Sequence, residues 1–113
     1  MDKFTEIINT YVSNYDKYEH GKTSFECDYG ELIFNKENKN TLTLFGIYIQ
    51  PQFRGNGLCR DIFHYVIDNC HDKFKYFCVQ DVLSKILYEY LLRFKYKGTK
   101  FVNTKNGFIY KMK

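Results

Sequence analysis

The chain has 113 residues, of which 44% are hydrophobic and 19% aromatic, and this predicts a single small domain over residues 1–113 with a substantial core. No apolar run approaches the roughly 18 residues of a membrane-spanning helix, and the acidic N-terminal residues do not resemble a signal peptide. The net charge of +4 is mild and fits an anionic ligand or a weak affinity for nucleic acid.

The first half of the chain predicts one helix followed by three strands. Apolar residues recur at helical spacing over residues 2–15, which predicts an amphipathic helix. Residues 25–29 alternate between apolar and polar, and residues 32–34 form a second short apolar run, so both predict strands. The run 41–50 predicts the longest strand, and Gly46 inside it indicates a β-bulge or a close approach of a ligand.

The second half predicts two helices, each followed by strand-forming residues. Apolar residues from Leu58 to Cys70 lie on one helical stripe, and residues 73–80 predict a strand. A second helix is predicted over residues 81–94, and the runs 99–104 and 108–112 flank a turn signal and predict a hairpin. The predicted order is therefore α-β-β-β-α-β-α-β-β.

The four cysteines, Cys27, Cys59, Cys70 and Cys78, each fall inside a predicted element. None belongs to a C-x-x-C pair, and no histidine spacing indicates a metal site. We therefore predict buried free thiols, a reducing intracellular compartment such as the cytoplasm, and no metal.

A glycine-rich turn, Arg54–Gly57, joins the longest strand to the next helix. Such a turn leaves backbone N–H groups unpaired at a helix N-terminus, where the helix dipole favours anions, and its glycines permit close approach to the backbone. The pattern predicts a phosphate or pyrophosphate site. It is neither a P-loop, because no Gly-Lys-Ser/Thr follows, nor a dinucleotide fingerprint, because Arg60 replaces the third glycine.

The spacing of Pro51, the only proline, from Arg54-Gly55-Asn56-Gly57 resembles motif A of the GNAT acetyltransferases. Cys59 stands where that family has Gly or Ala. The resemblance covers roughly residues 41–113, while the N-terminal third matches in pattern only. Relative to the family, the chain resembles a short member that lacks the first strand and one helix.

The helix predicted over residues 81–94 extends this resemblance, because Leu87-Tyr88-Glu89 falls at the family's Leu-Tyr-Glu position. Asp81 and Ser84 fall where the family often has Asn and Ala. On a helix over residues 81–94, Asp81, Ser84 and Tyr88 share one side. The expected buried stripe lies apart from them and comprises Leu83, Ile86, Leu87, Tyr90, Leu91 and Phe94.

The resemblance implies an α/β (α+β) GNAT-like fold with a central, mixed and mostly antiparallel sheet of about six strands and about three helices. It also implies an acetyl-CoA-dependent N-acetyltransferase that transfers an acetyl group to a primary amine of a small molecule or a protein lysine. Tyr88 is the implied catalytic residue, which protonates the departing thiolate. The implied coenzyme A-binding residues are Ile47, Tyr48, Ile49, Arg54, Gly55, Asn56, Gly57, Leu58, Cys59, Asp81 and Ser84. Because family members often dimerise, a homodimer is a further expectation.

Two questions stay open at the level of sequence. The general base has three candidates, Asp81, Glu26 and Glu31, because the longest strand contains no carboxylate. The leading alternative function is a catalytically silent module that binds coenzyme A or a protein. A small basic nucleic-acid binder is a weaker alternative, because no DNA- or RNA-binding motif accompanies the C-terminal lysines.

Overall fold

The computed structural model describes residues 3–112, which contain three α-helices and eight strands. The helices are α1 (Lys3–Ser13), α2 (Leu58–Cys70) and α3 (Lys85–Arg93). The strands are β1 (Gly21–Cys27), β2 (Gly30–Lys36), β3 (Thr41–Ile49), β4 (Tyr76–Val79), β5 (Lys95–Tyr96), β6 (Thr99–Lys100), β7 (Val102–Thr104) and β8 (Gly107–Lys111). No helix in this part of the chain is both long enough and apolar enough to cross a membrane.

Six of the strands form one mixed sheet in the order β1-β2-β3-β4-β8-β7. Only the β3–β4 pair is parallel, and α2 provides the crossover that such a pair requires. The prediction of a mixed, mostly antiparallel α+β fold with about six strands and three helices is confirmed. The separate β5–β6 hairpin was not predicted, and its turn contains Gly98 at a φ of 79°.

The helices cover one face of the sheet, and aromatic side chains fill the space between them. Phe63 of α2 is fully buried, with its ring centroid 5.5 Å from Phe77 of β4 and 5.6 Å from Phe94 beyond α3. Tyr11 of α1 stacks on Phe34 of β2 at 4.2 Å. Buried aromatic rings contribute large apolar areas, so these contacts fix α1, α2 and α3 against the sheet.

A β-bulge in β3 lies beside the point where β3 and β4 part. The register with β2 shifts so that Ile33 pairs with Gly46 and Phe34 with Leu44, which leaves Phe45 as the extra residue. The parallel ladder ends at the pair of Leu44 with Val79, although β3 continues to Ile49. The bulge predicted at Gly46 is confirmed, and it bends β3 where the two strands diverge.

The predicted start of the third helix is wrong, because α3 begins at Lys85 and not at residue 81. Ser84 is the N-cap, and its Oγ accepts a hydrogen bond from the Leu87 N–H at 3.3 Å. Asp81 has a φ of 54°, outside the right-handed helical region. Leu83, which was predicted to be buried, therefore lies before the helix and is 87% exposed. Ile86 was also predicted to be buried, but it lies in the first turn of α3 and is 83% exposed.

Other boundaries differ by a few residues. The first helix was predicted over residues 2–15 but ends at Ser13, and residue 2 lies outside the described residues. The strand predicted over residues 99–104 is interrupted at Phe101, whose side chain is buried in the core. All four cysteines are free thiols, but only Cys70 and Cys78 are buried as predicted, whereas Cys27 and Cys59 are partly exposed.

Candidate functional site

The turn before α2 presents unpaired backbone N–H groups. Gly57 is the N-cap residue, its φ of 78° is left-handed, and no side chain within residues 3–112 caps this helix end. The first backbone hydrogen bond of the helix runs from the Asp61 N–H to the Gly57 carbonyl at 2.9 Å. The N–H groups of residues 58–60 therefore remain available, and together with the helix dipole they favour an anion.

Arg54 ties this turn to the end of β3. Its Nε donates a hydrogen bond to the Ile49 carbonyl at 2.8 Å, and its guanidinium lies 5.4 Å from the ring centroid of Tyr48. Arg60 and Arg93 line the same region, although Arg60 is paired with Asp61 at 3.3 Å. This end of the site is therefore cationic.

The last part of β3 has a free backbone edge. The Gln50 N–H donates to the Tyr29 carbonyl at 2.8 Å on the β2 side, and Tyr48 pairs with Glu31 in the same register. Because hydrogen-bonding directions alternate along an antiparallel ladder, the backbone groups of Ile47 and Ile49 face away from β2. No strand within residues 3–112 meets them there, since β4 leaves β3 at Leu44, and of these groups the Ile49 carbonyl accepts the hydrogen bond from Arg54. This edge can pair with an extended ligand.

Three adjoining cavities run from the glycine turn, along this edge, to the gap between β3 and β4. They have volumes of about 490, 470 and 270 Å³ and share lining residues. The structure brings together here ten of the eleven residues predicted to bind the cofactor, namely Ile47, Tyr48, Ile49, Arg54, Gly55, Gly57, Leu58, Cys59, Asp81 and Ser84. Asn56 does not line them, and its side chain donates to the Phe53 carbonyl at 3.3 Å.

Tyr88, the residue predicted to be catalytic, does not line these three cavities. It lines a fourth cavity of about 520 Å³, which shares Gln80 and Asp81 with the cavity between the strands. Its ring packs against Phe108 at 5.4 Å, and its hydroxyl oxygen accepts a hydrogen bond from Asn103 Nδ2 at 3.1 Å. Because that contact uses the oxygen as acceptor, the hydroxyl proton remains free for donation.

Tyr90 was assigned to the buried stripe, but it is only half-buried and lines two of the three adjoining cavities. Burial raises the pKa of its phenol above the usual value.

Cys59 lines the same two cavities, and burial raises the pKa of its thiol to about 12. A helix N-terminus normally lowers the pKa of a thiol, but here the opposing effect of burial is larger. Cys59 is therefore an un-ionised packing residue at neutral pH.

Two residues of the fourth cavity, Glu37 and Gln80, were missed by the sequence analysis. Glu37 lies in a polar turn that resembles any solvated loop, and its contact with Gln80 spans 43 residues. No local pattern could have indicated that contact. Of the three carboxylates considered as general base, Asp81 lines the cavities, whereas Glu26 lies on the edge strand β1 and Glu31 on its neighbour β2.

The chain matches no model of a known protein family, and no curated protein shows detectable similarity to it.

Proposed function

We propose that this protein is an acetyl-CoA-dependent N-acetyltransferase of the GNAT type. One observation carries the proposal: β3 and β4 are parallel neighbours that part at Leu44 and Val79, directly beside an anion-favouring turn at the start of the intervening helix. This combination would place a phosphate-binding turn, a strand edge and the gap between β3 and β4 along adjoining cavities. The sequence resemblance of residues 41–113 points to the same activity.

The residues present fit coenzyme A along the length of the cleft. The N–H groups of residues 58–60 would hold the pyrophosphate, and Arg54, Arg60 and Arg93 would balance its charge. The backbone groups of Ile47 and the N–H of Ile49 would pair with the amides of the pantetheine arm, as in the addition of a strand, while the Ile49 carbonyl keeps its hydrogen bond from Arg54. Gly55 has no atom within 4 Å of the position of a side chain, so the turn is open to the phosphates.

Acetyl-CoA supplies an activated acyl carbon. The neutral amine nitrogen bonds to that carbon and releases one proton to solvent, while the carbon–sulfur bond breaks with its electron pair passing to sulfur, which takes up one proton. Tyr88 is the proposed proton donor, because its hydroxyl proton is not used by Asn103. The free N–H groups of β3 near the gap are suited to stabilise negative charge on the acyl oxygen.

Two measurements test this proposal. Calorimetric titration should show saturable binding of acetyl-CoA, and coenzyme A thiol release should accelerate when a primary amine is added. Absence of binding at millimolar acetyl-CoA would refute the proposal. Binding without turnover on any amine would instead favour the silent coenzyme A-binding module.

A further inference from the structure

The fourth cavity lies beside the gap between β3 and β4, and its lining includes Tyr88 of α3 and the turn between β7 and β8. It contacts the cleft through Gln80 and Asp81, which line both spaces. A further cavity of about 250 Å³ adjoins it and shares Glu37, Gln80 and Asn106 with it, and together the two cavities form a groove. A molecule in this groove would therefore reach the gap at Gln80 and Asp81, where the groove meets the cleft.

Glu37 is held in a defined orientation at this groove. Its Oε1 accepts hydrogen bonds from Thr43 Oγ1 at 3.2 Å and from Gln80 Nε2 at 3.1 Å, and Thr43 itself is fully buried. Gln80 is in turn contacted by Asn35 Nδ2, which donates to Gln80 Oε1 at 3.4 Å. No group within residues 3–112 donates a hydrogen bond to Glu37 Oε2. One carboxylate oxygen is therefore held by hydrogen bonds, and the other is available to a ligand.

The charges of the two connected spaces are opposite in sign. Arginines surround the end of the cleft at the glycine turn, whereas the groove carries the carboxylates of Glu37 and Asp81 with Lys105 as its one basic lining residue. An anion at the first end and a cation at the second would each meet complementary charge.

We propose that the groove receives the primary ammonium group of the acceptor, and that Glu37 binds this group and removes its proton. The inference rests on the proposed acetyltransferase function. In the step, one proton passes from the ammonium nitrogen to the Glu37 carboxylate, which leaves a neutral amine with a free lone pair and a neutral carboxylic acid. Thr43 and Gln80 are positioning residues, because their hydrogen bonds to Glu37 orient the carboxylate that acts on the acceptor.

Binding is tested by NMR titration with two probes, spermidine as a small polyamine and Nα-acetyl-lysine amide as a protein lysine. We expect at least one probe to shift the amide signals of Gln80, Asp81 and Asn106, and Glu37→Gln to weaken its binding about tenfold or more. Glu26→Gln removes an exposed carboxylate on the edge strand β1 and should leave binding unchanged. No shift with either probe, or equal affinity in Glu37→Gln and the native protein, would overturn the proposal.

Proton removal is tested by the pH dependence of kcat/KM. Glu37→Gln should lower kcat/KM at neutral pH by about 10²-fold, a loss that general-base catalysis commonly shows, and the loss should shrink as pH rises and the amine deprotonates unaided. Glu37→Asp should restore part of the rate. A loss that is the same at every pH, or no turnover with either amine, would overturn the proton-transfer step.

Failure of this inference and failure of the proposed function are distinguishable in the same samples. Titration with acetyl-CoA should shift the amide signals of residues 54–59 in the native protein, Glu37→Gln and Glu26→Gln alike. If these signals do not move, the acetyltransferase proposal fails. If they move but the groove does not respond to either amine, only the assignment of the groove and Glu37 fails.

Discussion

Replacement of Gly57 by valine tests the anion-binding role of the glycine turn, and Gly98 provides a matched control. The two glycines have nearly identical φ values, 78° and 79°, in the left-handed region where a β-branched side chain is strained. They differ in their surroundings. A Cβ at Gly57 would lie 2.6 Å from Arg60 Nη2, whereas nothing lies within 4 Å of a Cβ at Gly98.

The left-handed conformation costs an L-residue roughly 1–2 kcal/mol, so both variants should lose a similar amount of stability. For a domain of this size, 1 kcal/mol corresponds to about 4 °C in Tm. Acetyl-CoA at a hundredfold excess over Kd should add about 2.7 kcal/mol to a protein that binds it, or about 10 °C.

Thermal denaturation with and without acetyl-CoA is the assay. The native protein and Gly98→Val should both gain about 10 °C on addition of the ligand. Gly57→Val should gain little, because its side chain displaces the Arg60 guanidinium and crowds the N–H groups beside it. If Gly57→Val gains as much as Gly98→Val, the phosphates do not bind at this turn and the proposed cofactor placement is refuted.

Three further predictions concern single side chains. Tyr88→Phe should lower kcat about 10²–10⁴-fold while acetyl-CoA affinity is retained, and if Tyr90→Phe causes the larger loss of kcat, Tyr90 is the proton donor. Cys59 should react very slowly with iodoacetamide at neutral pH because its pKa is raised to about 12, and rapid alkylation of that residue would contradict the burial argument. The hydrogen bond from Lys97 lowers the pKa of Asp68, so Asp68→Asn should be less stable than the native protein at neutral pH. A depressed carboxyl pKa contributes stability that is lost on acidification, so this difference should shrink as pH falls below about 3.9, and a constant difference in urea denaturation would count against the ion pair.

The glycine turn and the bulge were predictable from sequence because local backbone geometry demands particular residues there. Gly57 occupies a left-handed position at a helix start, and Gly46 sits where a Cβ would meet Ile33 Cδ1 at 3.1 Å. Because the local backbone and neighbouring atoms impose both requirements, each position carries a glycine that can be interpreted from the sequence without knowledge of the whole fold.

The start of α3 and the contacts of Glu37 were not predictable by the same means. Leu83 continues the apolar period of the helix that follows, so periodicity alone extends that helix too far. The true boundary depends on the cap at Ser84 and on the left-handed backbone of Asp81. Glu37 acquires its hydrogen-bond partners only when β3 and β4 bring Thr43 and Gln80 beside it, which is a property of the assembled sheet.

The isolated parallel pair also has a consequence for how the chain folds. Strands β1 to β3 form one antiparallel meander, β4, β7 and β8 form another antiparallel unit, and only four residue pairs, from Thr41–Tyr76 to Leu44–Val79, join the two units within the sheet. The pairs β1–β2, β2–β3 and β7–β8 join strands through short connections, whereas β4 pairs with β3 and with β8 only by closing the long segments that contain α2 and α3. We therefore expect pairing of β4 with its two neighbours to be the slow step of folding. Because the cleft opens at this junction, a ligand that contacts both β3 and α3 would also slow the separation of the two units.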